Sequence, residues 1–272
     1  MSVAWVLNLG VEVELAGGQL GAAAARRRAE VRRALRLPEG HVVLDLDDDA
    51  RARGLEGRAW CPTPSALARL AAAGARVPPA PSVEVLRRVN ERSFAHELVA
   101  LPQTVRCDDL DAVRAATERP GRWLLFRSLT FAGRGQRRVD AGRWDEGAEA
   151  WARGALRIGP VHVLPRVEIE LEVSLHGMLG PDALRLGRPT VSDVDAAGQW
   201  RASRLAEAGE LEAAEVLALH DAVERVAVAL REAGYFGPFG VDAFRHAGGF
   251  HPLSEINARY SMGWPVGMGG WS

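Results

Sequence analysis

Residues 237–263, GPFGVDAFRHAGGFHPLSEINARYSMG, constrain the fold of this chain more than any other stretch. Residues 239–245 and 250–257 have the make-up of two short strands, and Gly248-Gly249 can take the positive φ angles of a tight turn between them. A hairpin is expected. Side chains alternate along a strand, so His251, Leu253, Glu255 and Asn257 should share one face and Phe250, Pro252, Ser254 and Ile256 the other. On the first strand Gly240, Asp242 and Phe244 share a face. A register that sets Asp242 beside Glu255 brings two carboxylates and the Asn257 amide oxygen onto one patch. Mg²⁺ favours such a set of hard oxygens, with phosphate oxygens and water completing the octahedron. An edge hairpin with a merely solvated polar face satisfies the same spacing, and the pattern alone leaves both readings open. Arg259, two residues further on, is placed to face a phosphoryl group or a substrate carboxylate.

The rest of the chain supplies what such a hairpin needs around it. With 272 residues, 47% apolar and 25% charged, the chain can bury one large core or two or three small ones. A net charge of −1 gives no overall field favouring nucleic acid or an anionic membrane, and neither is expected as a partner. No apolar run is long enough to span a bilayer, and Met1 opens no signal-peptide pattern. Cys61 and Cys107 lack paired metal spacing and read as reduced thiols, so a cytoplasmic protein is expected. The chain contains no lysine, and all 34 cations are arginine. Any task usually given to lysine must therefore fall to arginine.

Residues 3–15 have the character of one or two strands, 21–36 of an Ala- and Arg-rich helix, and 41–46 and 58–62 of strands. Residues 65–73 read as a helix ended by Gly74. This alternation predicts a small α/β lobe with a parallel sheet. Arg26, Arg27, Arg28, Arg32, Arg33 and Arg36 could form a nucleic-acid patch, but helical spacing and the acidic run downstream favour a solvated face. Gly10 and Gly17-Gly18 make no dinucleotide fingerprint. The Pro-rich stretch 76–82 reads as a linker, followed by a helix over 83–99 with Ser82 as its N-cap. An apolar strand at 123–126 ends in Arg127 and a glycine loop, Ala132-Gly133-Arg134-Gly135. Such a loop either wraps phosphate oxygens with its N–H groups or simply turns a hairpin. Residues 161–179 form a strand, a break at Pro165 and an alternating strand whose Glu168, Glu170 and Glu172 share a face. Residues 184–200 look irregular, and 210–233 form a long amphipathic helix stopped by Gly234. His220 reads as a packing or surface residue; His246 and His251 flank the hairpin, where an oxygen-rich site disfavours a metal role for them; Trp264 and Trp271 are available to packing or to a partner.

Asp242, Glu255, Asn257 and Arg259 stand in the order and spacing of the metal-binding end of the ATP-grasp superfamily, which the chain resembles from about Asn90 to Gly263. The resemblance implies an α/β region followed by α+β: a pre-ATP-grasp lobe at 1–80 and an ATP-grasp domain at 81–272, with nucleotide held between two α+β lobes. It implies metal ligation by Asp242, Glu255 and Asn257, with Mg²⁺ or Mn²⁺ as the ion. Arg92 falls where the superfamily's helix carries a phosphate-contacting lysine. Arg127 falls where a second such lysine precedes the lid loop, here Gly133, Arg134 and Gly135. The adenine hinge maps to 163–166, with Leu164 and Arg166 as contacts, and the ribose acid to Glu170, or to Glu168 or Glu172 if the register slips. Leu253 would form an apolar floor under adenine. The implied activity is ATP-dependent ligation of a small-molecule or peptide carboxylate to an amine through an acylphosphate, with Arg127 and Arg259 catalytic and a homodimer as one assembly. A nucleotide-binding module without catalysis, or a kinase stopping at phosphorylated product, are the alternatives.

Overall fold

A computed structural model describes residues 2–18, 35, 37–44, 46, 47, 49–129, 135–140, 143–194 and 200–271. Three sheets organise the chain. The first is parallel, with β1 (Val3–Val6) between β2 (Val42–Val43) and β3 (Glu56–Ala59). The second has the order β4 (Val105–Cys107), β7 (Val161–Pro165), β5 (Arg122–Arg127), β6 (Gln136–Asp140), all antiparallel. The third runs β11 (Trp200–Leu205), β10 (Thr190–Val194), β8 (Ile169–Leu179), β12 (Gly237–His246), β13 (Gly249–Asn257), with β9 (Leu184–Leu186) paired to the end of β8.

The helices cover one face of each sheet. Helix α1 (Val11–Leu15) and α2 (Pro64–Ala72) belong to the first region; Thr63 caps α2, its hydroxyl accepting from the Ala66 amide. Helices α3 (Val83–Asn90) and α4 (Arg92–Leu98) lead to α5 (Leu110–Glu118) and α6 (Glu146–Leu156), whose Val113, Ala148 and Ala152 pack on Trp123, Leu125, Val161 and Val163 of the second sheet. The long α7 (Ala213–Glu232) presents Leu219, Val223, Val226 and Leu230 to Val173, Leu175, Val241, Leu253 and Ile256 of the third. The Glu215 carboxylate accepts from the Glu212 amide at 2.9 Å to close the helix start and from Arg245 Nε of β12 at 2.7 Å.

Three sequence expectations change, and one that was open is decided. Residues 11–15 are a helix although VEVEL alternates like a strand, because Val11, Glu12 and Leu15 are all buried, Glu12 against Arg259. The helix expected over 83–99 is broken at Glu91 (ψ 139°), where the Arg92 amide donates to the Ser128 carbonyl at 2.9 Å instead of continuing the helix. Residues 184–194 hold β9 and β10, short strands held by pairing with β8, and residue 200 opens β11, which pairs with β10. Trp264, in the short helix α8 (Trp264–Gly267), and Trp271 are buried among Trp5, Trp60 and Tyr260, so the C-terminal residues complete the packing on the first sheet. The arginine-rich helix expected over 21–36 lies outside the described residues apart from Leu35.

Candidate active site

The faces of the second and third sheets away from their helices line a cavity of 570 Å³. Strand alternation decides which side chains reach it. On β5, Trp123 and Leu125 pack beneath the sheet while Leu124 and Phe126 line the cavity. On β8, Val173 and Leu175 are core, whereas Glu172, Ser174 and His176 line the cavity. The chain passes from one sheet to the other at 166–168, between β7 and β8, and Leu164, Arg166 and Glu168 line the cavity there.

Along the third sheet the register is Glu172↔Phe244, then Ser174↔Asp242↔Glu255, then His176↔Gly240↔Asn257. Asp242 and Glu255 are thus direct cross-strand partners. Ser174 Oγ donates to Asp242 Oδ1 at 2.7 Å, and Asn257 Nδ2 donates to Asp242 Oδ2 at 2.8 Å. Burial, then the neighbouring Glu255 charge, pushes the Asp242 carboxyl up to about 6. Burial, then Asp242, pushes Glu172 up to about 7. Arg92 is buried, stacks over the Phe126 ring at 4.3 Å and reaches Glu255 at 3.4 Å, so it spans the two walls. The Asn90 side-chain Oδ1 accepts from the Ala258 amide at 3.0 Å and pins the end of β13. Arg259 lines the cavity and pairs with buried Glu12, its Nε donating to Oε1 at 2.9 Å.

Two adjacent carboxylates fit a hard divalent cation, which would offset the burial and repulsion that raise Asp242, and Asn257 would add its amide oxygen by turning the amide whose Nδ2 now donates to Asp242. Among the described residues no three His, Cys, Asp or Glu side chains form a closed metal cluster, so water or phosphate oxygens would have to supply the remaining ligands.

Three other sequence-derived residues do not reach the cavity. The Arg127 guanidinium lies over Trp151 of α6, 5.6 Å from the ring centre, because Arg127 shares the face of Trp123 and Leu125. Glu170 points away, and Glu168 and Glu172 take the cavity side of that segment. Leu253 is fully buried against α7, since an irregularity in the β12–β13 pairing between Asp242 and Phe244 breaks the alternation that would have kept it with Glu255. Gly133 and Arg134 lie outside the described residues; Gly135 (φ 79°) precedes β6, and its carbonyl accepts from the Arg127 amide at 3.3 Å. Sequence reasoning missed Phe126, Gln136, Arg138, Ser174 and His176. The alternation on β5, β6 and β8 carried a signal for them, but the face turned inward is set only by which side the helices cover.

His176 allows a direct test of burial. It is 2% exposed, and desolvation pushes its imidazole down to about 4. A depressed histidine stabilises the fold above the unfolded value of about 6.5, and that contribution is lost as pH falls from there toward 4. Of the order of 3 kcal/mol is at stake. Urea unfolding midpoints at pH 7 and pH 4.5 should converge in His176→Gln compared with wild type; an unchanged gap would place the titration elsewhere.

The arrangement of a small parallel sheet followed by two sheets facing each other across a cleft is the ATP-grasp fold. Among solved structures, a biotin carboxylase from Campylobacter jejuni in a β-γ-ATP complex aligns with a TM-score of 0.63 at 12% identity, covering 97% of this chain and 67% of that one. D-alanyl-alanine synthetase A from Vibrio cholerae aligns at 0.58 and 13% identity, covering 98% and 91% of the two chains. The D-cycloserine synthetase DcsG aligns at 0.58 and 16% identity, covering 98% and 95%. At such identities the likeness is one of fold. No protein-family model matches the chain, and no curated protein matches it significantly in sequence. No described helix is long and apolar enough to cross a membrane.

Proposed function

We propose that this chain, built as a lobe at 1–80 and a nucleotide-binding domain at 81–272, is an ATP-dependent ligase joining a carboxylate to an amine through an acylphosphate. The observation that carries the reading is the Asp242–Glu255 cross-strand pair, with Asn257 beside it, on one wall of a cleft between two sheets. In this reading adenine lies against Leu164–Arg166 and the triphosphate runs along β8 toward Asp242. Arg92, Arg138 and Arg259 neutralise charge on the phosphoryl oxygens. Asp242, Glu255 and Asn257 would hold Mg²⁺, or Mn²⁺ in its place, which when bound would further neutralise phosphoryl charge.

A substrate carboxylate oxygen attacks the γ-phosphorus, the bond from that phosphorus to the β–γ bridging oxygen breaks, and ADP leaves. The amine nitrogen then attacks the acyl carbon, the bond from that carbon to phosphate breaks, and the nitrogen's proton passes to solvent. The facing sheets shield the acylphosphate from water between the two steps.

Titration calorimetry with ATP and Mg²⁺ should show saturable binding by wild type and its loss in Glu255→Ala; equal binding by both would remove the metal site from this reading. Because the Arg127 side chain packs on Trp151, Arg127→Ala should leave ATP affinity unchanged, whereas Arg138→Ala should weaken it. The orientation of Arg127 also favours a second reading, a nucleotide-binding module without catalysis. Release of ADP and phosphate only when both a carboxylate and an amine are supplied separates the two, and ADP release without amine marks a kinase.

A further inference from the structure

The ligase reading leaves the carboxylate substrate undefined, and β8 serves as a ruler for locating it. Counting from the sheet crossing, the cavity side of this strand presents Glu172, then Ser174 beside Asp242, then His176. Two residues of strand are about 7 Å, so His176 stands one step beyond the Asp242–Glu255 pair, on the side away from the crossing. With ATP laid as proposed, whatever receives the γ-phosphoryl group must sit there.

At this end two serine hydroxyls each lie against a ring nitrogen. Trp200 Nε1 donates to Ser203 Oγ at 2.9 Å, and His176 Nε2 lies 2.7 Å from Ser261 Oγ. The imidazole is held closely: a Cβ added at Gly240, Gly263 or Gly267 would stand 3.1, 2.9 or 2.8 Å from it. Its Nδ1 is buried without a hydrogen-bond partner. A buried orphan N–H is rarer than a buried orphan acceptor, which places the ring proton on Nε2 and makes Nε2–H the donor to Ser261 Oγ. Both serines therefore receive a hydrogen bond, and each retains its own O–H proton to give. They flank the same glycine, since the Gly263 Cβ position is 3.2 Å from Ser203 Oγ and 2.9 Å from the His176 ring. Around them the cavity wall is Trp60, Trp200, Met262 and Ser192. Past the Asp242–Glu255 pair, the described lining residues include no carboxylate. The end thus offers donors and flat apolar surface, and nothing to balance an ammonium group.

We propose that this end, resting on the ligase reading, is the carboxylate subsite: Ser203 and Ser261 donate to the acid's oxygens, His176 is the positioning residue that orients Ser261, and the preferred acids carry an aromatic body without an α-ammonium group. Phenylacetate and indole-3-acetate, titrated by calorimetry into the full chain, should bind at least tenfold more tightly than L-phenylalanine and L-tryptophan. Ser261→Ala and His176→Leu should each weaken that binding about tenfold, the worth of one hydrogen bond of this kind. His176→Gln should retain it, because the amide N–H of glutamine can take the place of Nε2–H. Binding of ATP with Mg²⁺ should be the same in all of these variants. Equal or tighter binding of the amino acids, no binding of either acid, or unchanged affinity in Ser261→Ala would each overturn the proposal. Should His176→Leu fail to fold, Ser261→Ala still decides. Acid binding without any ATP binding would instead overturn the ligase reading and leave this subsite standing.

Discussion

Asp242→Asn is expected to slow ADP release about 10²–10³-fold, the usual loss when one group that stabilises transferring charge is removed. The substitution keeps the side-chain shape: an amide oxygen at this position can still accept from Ser174 Oγ, and Asn257 can turn its amide so that Oδ1 accepts from the new NH2 where its Nδ2 now donates. What disappears is the negative charge facing Glu255 across the strands. That charge is costly in the empty site, where burial and Glu255 together hold the carboxyl at about 6. The variant should therefore melt no lower than wild type while turning over far more slowly. A coupled ADP-release assay beside a thermal melt reads both quantities. Turnover near the wild-type rate would mean that the carboxylate pair does not serve phosphoryl transfer.

The second large effect falls on stability. Glu12 and Arg259 form a buried ion pair between α1 and the segment after β13, with side chains 4% and 7% exposed. Burial works against the Arg259 charge, and the Glu12 carboxylate more than compensates, so its pKa is raised. Glu12→Ala leaves that guanidinium buried and uncompensated, which should cost about 3–5 kcal/mol. A urea midpoint below that of wild type at neutral pH reads it. The double variant Glu12→Leu, Arg259→Met should recover much of the loss, since two apolar side chains can fill a similar volume. A single variant as stable as wild type would show that water reaches Arg259.

The hairpin around Gly248-Gly249, the long helix ending at Gly234, the strand break at Pro165 and the ATP-grasp order of elements were legible in the chain, because each rests on near-neighbour periodicity or turn chemistry. Asp242 and Glu255 could be named from spacing, but their direct opposition depends on a strand register set by the β12–β13 turn and by pairing with β8. Alternation misplaced Leu253, and the positions that the resemblance implied for Arg127 and Glu170 fell on the side away from the cavity. A period of two says which residues share a face and is silent on which face meets the cleft, and one pairing irregularity resets it. Helix α1 and the buried Trp264 and Trp271 were likewise settled by contacts more than 200 residues apart, Glu12 with Arg259 and Trp5 with Trp271. Local composition determined the elements and their order; burial, which no short window of sequence can contain, decided which side chains meet across the cleft.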